Sequence, residues 1–172
     1  MSEPGVAALR ATAHPLRLQI LSLLTGASMS AAELARELGA TQANVSYHLR
    51  VLADAGEVVP DGELKIRGGI AKRFRHPWDE LHADKKRPKQ DIAHYLRAFA
   101  TELTRRWDLR QPRSKKFFCD AEMWVTPETW GEVVGLVERA SRLVHSEAQA
   151  PRTKGTVHVN LQMAAFGMKD PE

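Results

Sequence analysis

The stretch T-Q-A-N-V-S-Y-H-L-R-V-L-A-D-A-G, from Thr41 to Gly56, has the pattern of one amphipathic helix. Thr41 is a residue type that accepts hydrogen bonds from the free N–H groups of a first helical turn. Gly56 permits the left-handed conformation that commonly follows the last turn. Val45, Leu49 and Leu52 recur at i, i+4 and i+7, so the helix is expected to bury one apolar stripe.

The opposite face of this predicted helix carries short or planar hydrogen-bonding side chains, which are suited to reading base edges in a DNA major groove. The candidate DNA-binding residues of the helix are Thr41, Gln42, Asn44, Ser46, Tyr47, His48 and Arg50. No carboxylate precedes Asp54, so the face does not repel phosphate groups. We interpret the stretch as a DNA recognition helix.

Two helices are predicted before the recognition helix. The first begins at Pro15, since proline is tolerated in a first turn, and ends near Leu24. The second begins with the capping box S-A-A-E, formed by Ser30 and Glu33, and ends at Gly39. A three-residue turn containing glycine then leads into the recognition helix, as in a helix-turn-helix. The pattern alone leaves a plain helical hairpin in an all-α bundle as an alternative.

The residues after Gly56 predict a basic β-hairpin over about residues 57–75. Its turn falls either at Asp61-Gly62 or at Gly68-Gly69, and the sequence leaves both positions open. A helix-turn-helix followed by such a hairpin is a winged helix, in which cations of the hairpin contact DNA phosphates. The candidate DNA-binding residues of the wing are Lys65, Arg67, Lys72, Arg73 and Arg75.

The runs H-P-L-R-L-Q-I-L-S-L-L, S-A-A-E-L-A-R-E-L-G and T-Q-A-N-V-S-Y-H-L-R-V-L-A-D-A-G resemble the ArsR/SmtB group of winged-helix transcriptional regulators. The resemblance covers roughly residues 5–76. It implies a homodimer that binds an inverted repeat, and often a ligand that releases the DNA. It also implies that the first turns of the recognition helix read bases, and by that match the base-reading positions fall on Gln42, Asn44, Ser46, Tyr47 and His48.

The chain departs from the metal-sensing members of that group, whose cysteine pairs lie in the helix before the recognition helix. This helix reads A-A-E-L-A-R-E-L and has no cysteine, so we expect neither that metal site nor a cofactor. A zinc site drawn from Asp91 with His94 and from His145 with Glu147 remains an alternative, but seven histidines produce such spacings by chance. The single cysteine, Cys119, is interpreted as a small buried apolar residue.

The charge of the chain is unevenly distributed around its net +4. Residues 65–116 carry 16 Lys/Arg against 6 Asp/Glu, whereas the flanking segments are mildly acidic. A basic belt of this kind is typical of a surface for a polyanion, although a lysine-rich connector is an alternative explanation. Within it, residues 78–89 are interpreted as a flexible basic connector that includes Lys85, Lys86, Arg87 and Lys89.

The C-terminal half predicts a helix and then a small α+β unit. Ile92, Leu96, Phe99, Leu103 and Trp107 form a helical apolar stripe over residues 90–107, expected either to pair across a dimer or to enter a C-terminal core. Alternating residues predict strands at 116–125 and 156–168, on either side of a helix capped by Thr126. The predicted fold is α+β and mostly helical. The predicted domains are 1–77 (winged helix-turn-helix), 78–89 (connector) and 90–172 (dimerisation and accessory unit).

These features predict a sequence-specific DNA-binding regulator and not an enzyme, since no phosphate-binding loop, nucleophile elbow or paired catalytic carboxylates are recognisable. The expected partners are double-stranded DNA and a second copy of the chain, with a small organic molecule as a possible effector. A membrane is not expected. The absence of a secretory signal pattern at the N-terminus suggests a cytoplasmic location. A winged-helix protein-interaction module without DNA specificity is the alternative function.

Overall fold

The computed structural model describes residues 11–66, 69–83 and 92–169, with the backbone alone at 81–83. Its helices are α1 (Pro15–Gly26), α2 (Ala31–Leu38), α3 (Gln42–Asp54), α4 (Trp78–Ala83), α5 (Ile92–Asp108) and α6 (Pro127–Ser146). Its strands are β1 (Met29–Ser30), β2 (Val59–Ile66) and β3 (Gly69–Arg75). This mixture of helices with one small antiparallel sheet confirms the predicted mostly helical α+β class with a winged helix-turn-helix.

The core lies where α1, α2 and α3 pack together. Ile20 and Leu24 from α1 meet Leu34 from α2, and all three are almost fully buried. Leu52 of α3 and Val58, just before β2, complete the same cluster. Burying side chains of this size stabilises the fold by roughly 1.5–3 kcal/mol each. The cluster therefore holds α3 in a fixed position on α1 and α2.

The hairpin is confirmed, and its turn falls at the later of the two predicted positions. β2 and β3 pair antiparallel, and the pairing closes with Ile66 opposite Gly69. The earlier turn signal, Asp61-Gly62, instead lies inside β2, where the register shifts between Pro60 and Glu63. Gly62 has a φ of 91°, which glycine adopts without strain. The Asp-Gly pair therefore makes an irregularity in a strand and not the hairpin turn.

A third strand, β1, was not predicted. It consists of Met29 and Ser30 and pairs antiparallel with β3, which gives the sheet order β1-β3-β2. Met29 lies opposite Phe74, and both contribute to the core. A two-residue strand has no periodicity to detect. It forms only because β3 pairs with it, and Phe74, the partner of Met29, lies 45 residues later in the chain.

The predicted connector is partly helical. Its first six residues form α4, and Trp78 is buried, with its ring stacked on His145 of α6. The expected flexibility is therefore not found over these six residues, since they form a helix and Trp78 is buried. The remainder, with Lys85, Lys86, Arg87 and Lys89, lies outside the described residues. The division into domains 1–77, 78–89 and 90–172 stays a prediction.

Helix α5 forms within one or two residues of its predicted bounds, but it turns a different side to the core. Ala98 and Glu102 are its buried residues, and they face α1. The predicted stripe is left largely exposed, with Ile92, Leu96, Leu103 and Trp107 all more than a third accessible in this single chain. Among the described residues, the stripe joins no buried C-terminal cluster, although Trp107 contacts Phe118 edge-on, with 5.1 Å between the ring centroids.

Helix α6 follows the prediction closely. Thr126 accepts a hydrogen bond from the backbone N–H of Thr129 at 3.2 Å, and Pro127 occupies the first helical position. The helix has no buried residue in the single chain, even though half of its circumference is apolar. The helix is held by its N-terminal cap, by one half-buried side and by the stacking of His145 on Trp78.

The two predicted C-terminal strands are wrong for the single chain. Residues 115–126 and 156–169 are neither strand nor helix, and no backbone hydrogen bond joins either segment to another extended segment in the described regions. Phe117, Trp124 and Val157 are each more than three-quarters exposed. Alternating residues specify a strand only when a second strand completes the hydrogen bonds, and neither segment has one.

No helix among the described residues is long and apolar enough to cross a membrane.

Candidate nucleic-acid interface

The ends of α2 and α3 are held by the predicted caps. The hydroxyl of Ser30 accepts a hydrogen bond from Glu33 N–H at 3.4 Å, and the Glu33 carboxylate accepts one from Ser30 N–H at 2.7 Å. Gly39 ends α2 with a φ of 62°. Thr41 then caps α3 by accepting a hydrogen bond from Asn44 N–H at 3.2 Å. These contacts fix the angle between the two helices at a turn of three residues.

The inner side of α3 anchors it to the core. Val45, Leu49 and Leu52 are buried in the cluster shared with α1 and α2, as the sequence predicted. Their positions leave the opposite side of the helix without cover from any other described element. An exposed second helix in this arrangement is the part of a helix-turn-helix that enters a major groove.

Most of the predicted base-reading residues lie on this exposed side. Thr41, Gln42, Asn44 and Arg50 are exposed, Tyr47 is 57% exposed, and Ser46 is half-buried. The structure therefore brings six of the seven predicted side chains to one accessible face at the N-terminal and middle turns of α3. The N-terminal turns are also where the helix dipole is positive, which favours nearby phosphate.

His48 is a correction to the predicted interface. Its side chain is only 7% exposed, and its ring lies 4.6 Å from the ring of His14 between centroids. Position 48 follows Val45 by three residues and precedes Leu52 by four, so it belongs to the inner side of the helix. Burial lowers the pKa of His48, and the nearby His14 and Arg17 lower it further. A ring in this position does not reach a base edge.

Ala43 was not among the predicted DNA-binding residues, but it is exposed on the outer side of α3, near Tyr47 and Arg50 along the helix. The signal in the sequence was its position four residues before Tyr47, which places both residues on the same side of the helix. A methyl group here can contact the 5-methyl group of thymine.

Lys65 and Lys72 are the exposed cations of the wing among the described residues. Lys65 lies opposite Ile70 in the β-ladder, and Lys72 lies opposite Glu63. Both lysines belong to one face of the hairpin, since paired residues and residues two apart share a face. Arg67 falls outside the described residues.

The other two predicted wing cations are corrections, because both interact with acidic groups of the same chain. Arg73 donates a hydrogen bond to Ser28 O and lies 3.8 Å from the Glu33 carboxylate. Arg75 pairs with Glu80 at 2.9 Å and lies 3.9 Å from Asp61. These contacts pair both guanidinium groups with acceptors of the same chain, so the two arginines are structural cations at the base of the wing.

The Glu33 carboxylate is a junction between the cap of α2 and the wing. Burial alone would raise its pKa, but hydrogen bonds from Ser30, together with the charges of Arg73 and Arg36, hold the pKa below its usual value. The carboxylate is therefore ionised at neutral pH and ties β3 to the start of α2.

Few features elsewhere in the described regions suggest chemistry. They contain no group of three or more His, Cys, Asp or Glu side chains that could hold a metal. Asp91 is not among them, and His145 is stacked on Trp78 at 4.2 Å. Cys119 is exposed, which corrects the expectation that it is buried. A cleft of about 310 Å³ lies between the end of α1, the end of β3, α4 and His145.

Comparison with known proteins agrees with the geometry of the N-terminal half. Residues 12–56 match the family model of a helix-turn-helix domain, which spans α1, α2 and α3 and ends before the wing. No curated protein matches the chain. The structure of reduced HlyU from Vibrio cholerae N16961 is similar at 30% identity and covers 46% of this chain and 79% of its own. Its TM-score of 0.39 is too low to support an argument about fold or function.

Proposed function

We propose that the protein is a sequence-specific DNA-binding transcriptional regulator in which α3 reads base edges in the major groove. The observation that carries this proposal is the outer side of α3, which is polar, accessible and free of carboxylates until Asp54. It belongs to the second helix of a matched helix-turn-helix domain. In that arrangement the second helix enters the groove while the first crosses the backbone.

Within α3, each exposed side chain has a role that follows from its chemistry. The amides of Gln42 and Asn44 are able to donate and accept together, as recognition of adenine requires. Tyr47 and Arg50 project from the middle of the helix, where hydroxyl and guanidinium groups contact phosphate or guanine. Lys65 and Lys72 of the wing supply contacts to the flanking backbone.

We also propose that the regulator is a homodimeric repressor that binds an inverted repeat. The apolar stripe of α5, with Leu96 and Leu103 exposed, is suited to a second copy. Two recognition helices related by a two-fold axis would enter major grooves about one helical turn apart. A bound repressor would then block a promoter by occupancy.

A small organic effector is the proposed control. The cleft beside α4 combines the stacked rings of Trp78 and His145 with the charged groups of Arg75 and Asp79. An aromatic wall with a few polar groups is the usual character of a small-molecule site. Because the cleft touches both β3 and the end of α1, a ligand there would bear on the wing.

The test of base reading is selection of bound duplexes from random DNA with the double variant Gln42→Ala, Asn44→Ala. We expect the wild type to select a short inverted repeat, and the double variant to lose about 10- to 1,000-fold in preference at the affected base pairs, while retaining binding to random duplex. Gln111→Ala, at an exposed position remote from α3, is the matched control. Full preference in the double variant would rule out the assignment of α3.

A winged-helix protein-interaction module is the second candidate, and the wing provides the observation that favours it. Leu64, Ile66 and Ile70 are 41%, 49% and 66% exposed there, which suits an apolar partner surface. DNA binding and protein binding differ in salt dependence. Affinity for random duplex that stays constant between low and high salt would favour the interaction module over the DNA regulator.

A further inference from the structure

Helix α6 carries one wide apolar face, of which the rest of the chain covers only one side. The covered side, which includes Trp130, Val137 and Val144, is half-buried. The adjoining side consists of Thr129, Val133, Leu136, Ala140 and Leu143, and every one of these residues is exposed. We call this second set the outer stripe. Leu143 is 65% exposed and Leu136 49%, so the outer stripe is not part of the core of a single chain.

The spacing of the outer stripe places its five residues on one line along the helix. Its residues follow one another at intervals of four, three, four and three, so that the repeat is seven residues. A surface helix that packs on its own domain covers its apolar face, whereas in α6 the outer stripe is the uncovered side of that face. An uncovered apolar line of this kind is suited to packing against a second helix.

Opposite charges lie along one edge of the outer stripe. Glu132 and Arg139 are seven residues apart, so both lie on the same flank of the helix. Both are exposed, and neither has a salt bridge to another residue in the part of the chain that the structure describes. On the far side of α6, by contrast, Glu138 and Arg142 pair with each other at 3.5 Å.

We infer that the outer stripe of α6 pairs with the same stripe of a second copy of the chain, with the two helices antiparallel. This contact deepens the proposed homodimer and rests on that part of the proposed function. In an antiparallel pair, each flank lies beside the same flank of the other helix. Glu132 of one copy then lies beside Arg139 of the other, and the two-fold axis repeats the contact with the copies exchanged.

The positions of Glu132 and Arg139 favour an antiparallel pair of helices and a second copy of the same chain as the partner. A parallel pair would place the flank that carries Glu132 and Arg139 against the opposite, apolar flank of the other copy, where neither charge has a partner. A two-fold antiparallel pair satisfies both charges in both copies with one sequence. The outer stripe is thus complementary to itself, which is the requirement for an isologous contact.

Charge reversal tests this contact directly. Glu132→Arg alone and Arg139→Glu alone each place like charges together twice per dimer, and each should raise the dimer dissociation constant roughly tenfold. An equimolar mixture of the two variants should instead form mainly heterodimers, because one copy then offers two arginines and the other two glutamates. Native mass spectrometry of the mixture, with one variant carrying a mass tag, measures the proportions.

Two further variants separate the seam from general effects of substitution. Leu136→Glu with Leu143→Glu should raise the dimer dissociation constant at least about 100-fold, because two leucines per copy lose their burial. Both leucines are exposed in the single chain, so the variant is expected to remain folded by circular dichroism. Glu138→Arg, on the far side of α6, is the matched charge-reversal control and should leave the dissociation constant unchanged.

The outcomes distinguish this inference from the proposed function. A heterodimer fraction of about one half, the statistical value, or an unchanged dissociation constant in the double leucine variant, would overturn the α6 contact and leave a dimer held by α5. A wild-type chain that sediments as a monomer at tens of micromolar would overturn both the α6 contact and the homodimer. Base reading by α3 would still be decided separately by the selection experiment.

Discussion

His48 shows that burial, and not side-chain chemistry, decides whether a residue of α3 is available to contact DNA. Its imidazole is able to contact DNA, yet the ring is buried beside His14, and its Nδ1 atom has no hydrogen-bond partner in the described regions. Burial lowers the pKa of both rings, and Arg17 adds to the effect on each. The pair is therefore neutral in the stable form of the protein.

This pair predicts that stability falls as the solution becomes more acidic. A histidine with a folded pKa below its unfolded value of 6.5 is stabilising above pH 6.5 and progressively loses that contribution as pH falls toward the folded pKa. We expect the free energy of unfolding in urea to decrease from pH 7.5 to pH 5.5. His48→Leu should reduce this decrease, because one of the two titrations is removed. An equally steep decrease in the variant would contradict the assignment.

At the scale of elements, the wing separates into a base that is part of the fold and a tip that is free for a partner. Arg73 is held by Ser28 and Glu33, whereas its neighbour Lys72 points to the other face of β3 and is exposed. Adjacent residues on a strand point to opposite faces. Arg73 is therefore held within the fold, whereas Lys72 is accessible to a partner.

Adjacent alanine variants should therefore give different results. Lys72→Ala is expected to weaken binding to all duplexes alike and to reduce the salt slope by about one, with little change in stability. Arg73→Ala should destabilise the fold by about 1 kcal/mol, because Glu33 loses a cation and Ser28 O loses a donor. Salt titrations of DNA binding and urea unfolding measure the two effects. The interpretation fails if Arg73→Ala changes only DNA binding.

Helix α5 is joined to α1 through a buried carboxylate. Glu102 is fully buried and accepts a hydrogen bond from Gln19 at 2.8 Å, while Arg105 and Arg106 each donate to it as well. Burial alone would raise the pKa of Glu102, but these donors and charges hold the pKa below its usual value. Because this contact is polar, it fixes the position of α5 on α1 but buries little apolar surface.

Glu102→Ala should consequently detach α5 from α1. Removing the carboxylate leaves two arginines and Gln19 without their acceptor, which costs about 3 kcal/mol if the site does not fill with water. Because the folded pKa is lowered, the contribution is present above the unfolded value of 4.5 and is lost as pH falls through the folded pKa. Urea unfolding at pH 7 checks the magnitude, and Thr101→Ala, one residue away but exposed, is the control. Equal stability of both variants would show that α5 is held otherwise.

At the scale of the whole molecule, the segment after α6 returns to the helix-turn-helix unit. Arg152 pairs with Glu37 of α2 at 2.6 Å, and His145 stacks on Trp78. Gly26, the last residue of α1, has room for no side chain, because a Cβ there would lie 2.5 Å from Gln149 O. The C-terminal half therefore reaches the end of α1 by a close backbone approach.

Two glycine variants test this approach. Gly26→Ala should destabilise the protein by about 1–3 kcal/mol, since backbone must shift to admit the methyl group. Gly131→Ala, inside α6 with open space around it, is the matched control and should stabilise by about 0.5–1 kcal/mol. Melting temperatures of the two variants report the signs. A stabilised Gly26→Ala variant would mean that the segment at Gln149 does not rest on α1.

The sequence by itself determined the elements whose signals are local. The caps at Ser30 and Thr41, the stop at Gly39 and the buried stripe Val45, Leu49 and Leu52 all lie within a few residues of one another, so they are readable without the fold. The match of residues 12–56 to a helix-turn-helix domain confirms that part. Capping and periodicity act over a single turn or two, and each therefore needs no distant partner.

Only the tertiary structure decided which side chains are available. It buried His48 against His14, paired Arg73 and Arg75 with carboxylates from other elements, and exposed Ala43. It also left residues 116–125 and 156–168 without strand partners, although their alternation predicts strands. In each case the outcome depends on groups far apart in sequence, because burial, ion pairing and strand formation are set by what arrives from elsewhere in the chain or from a second copy.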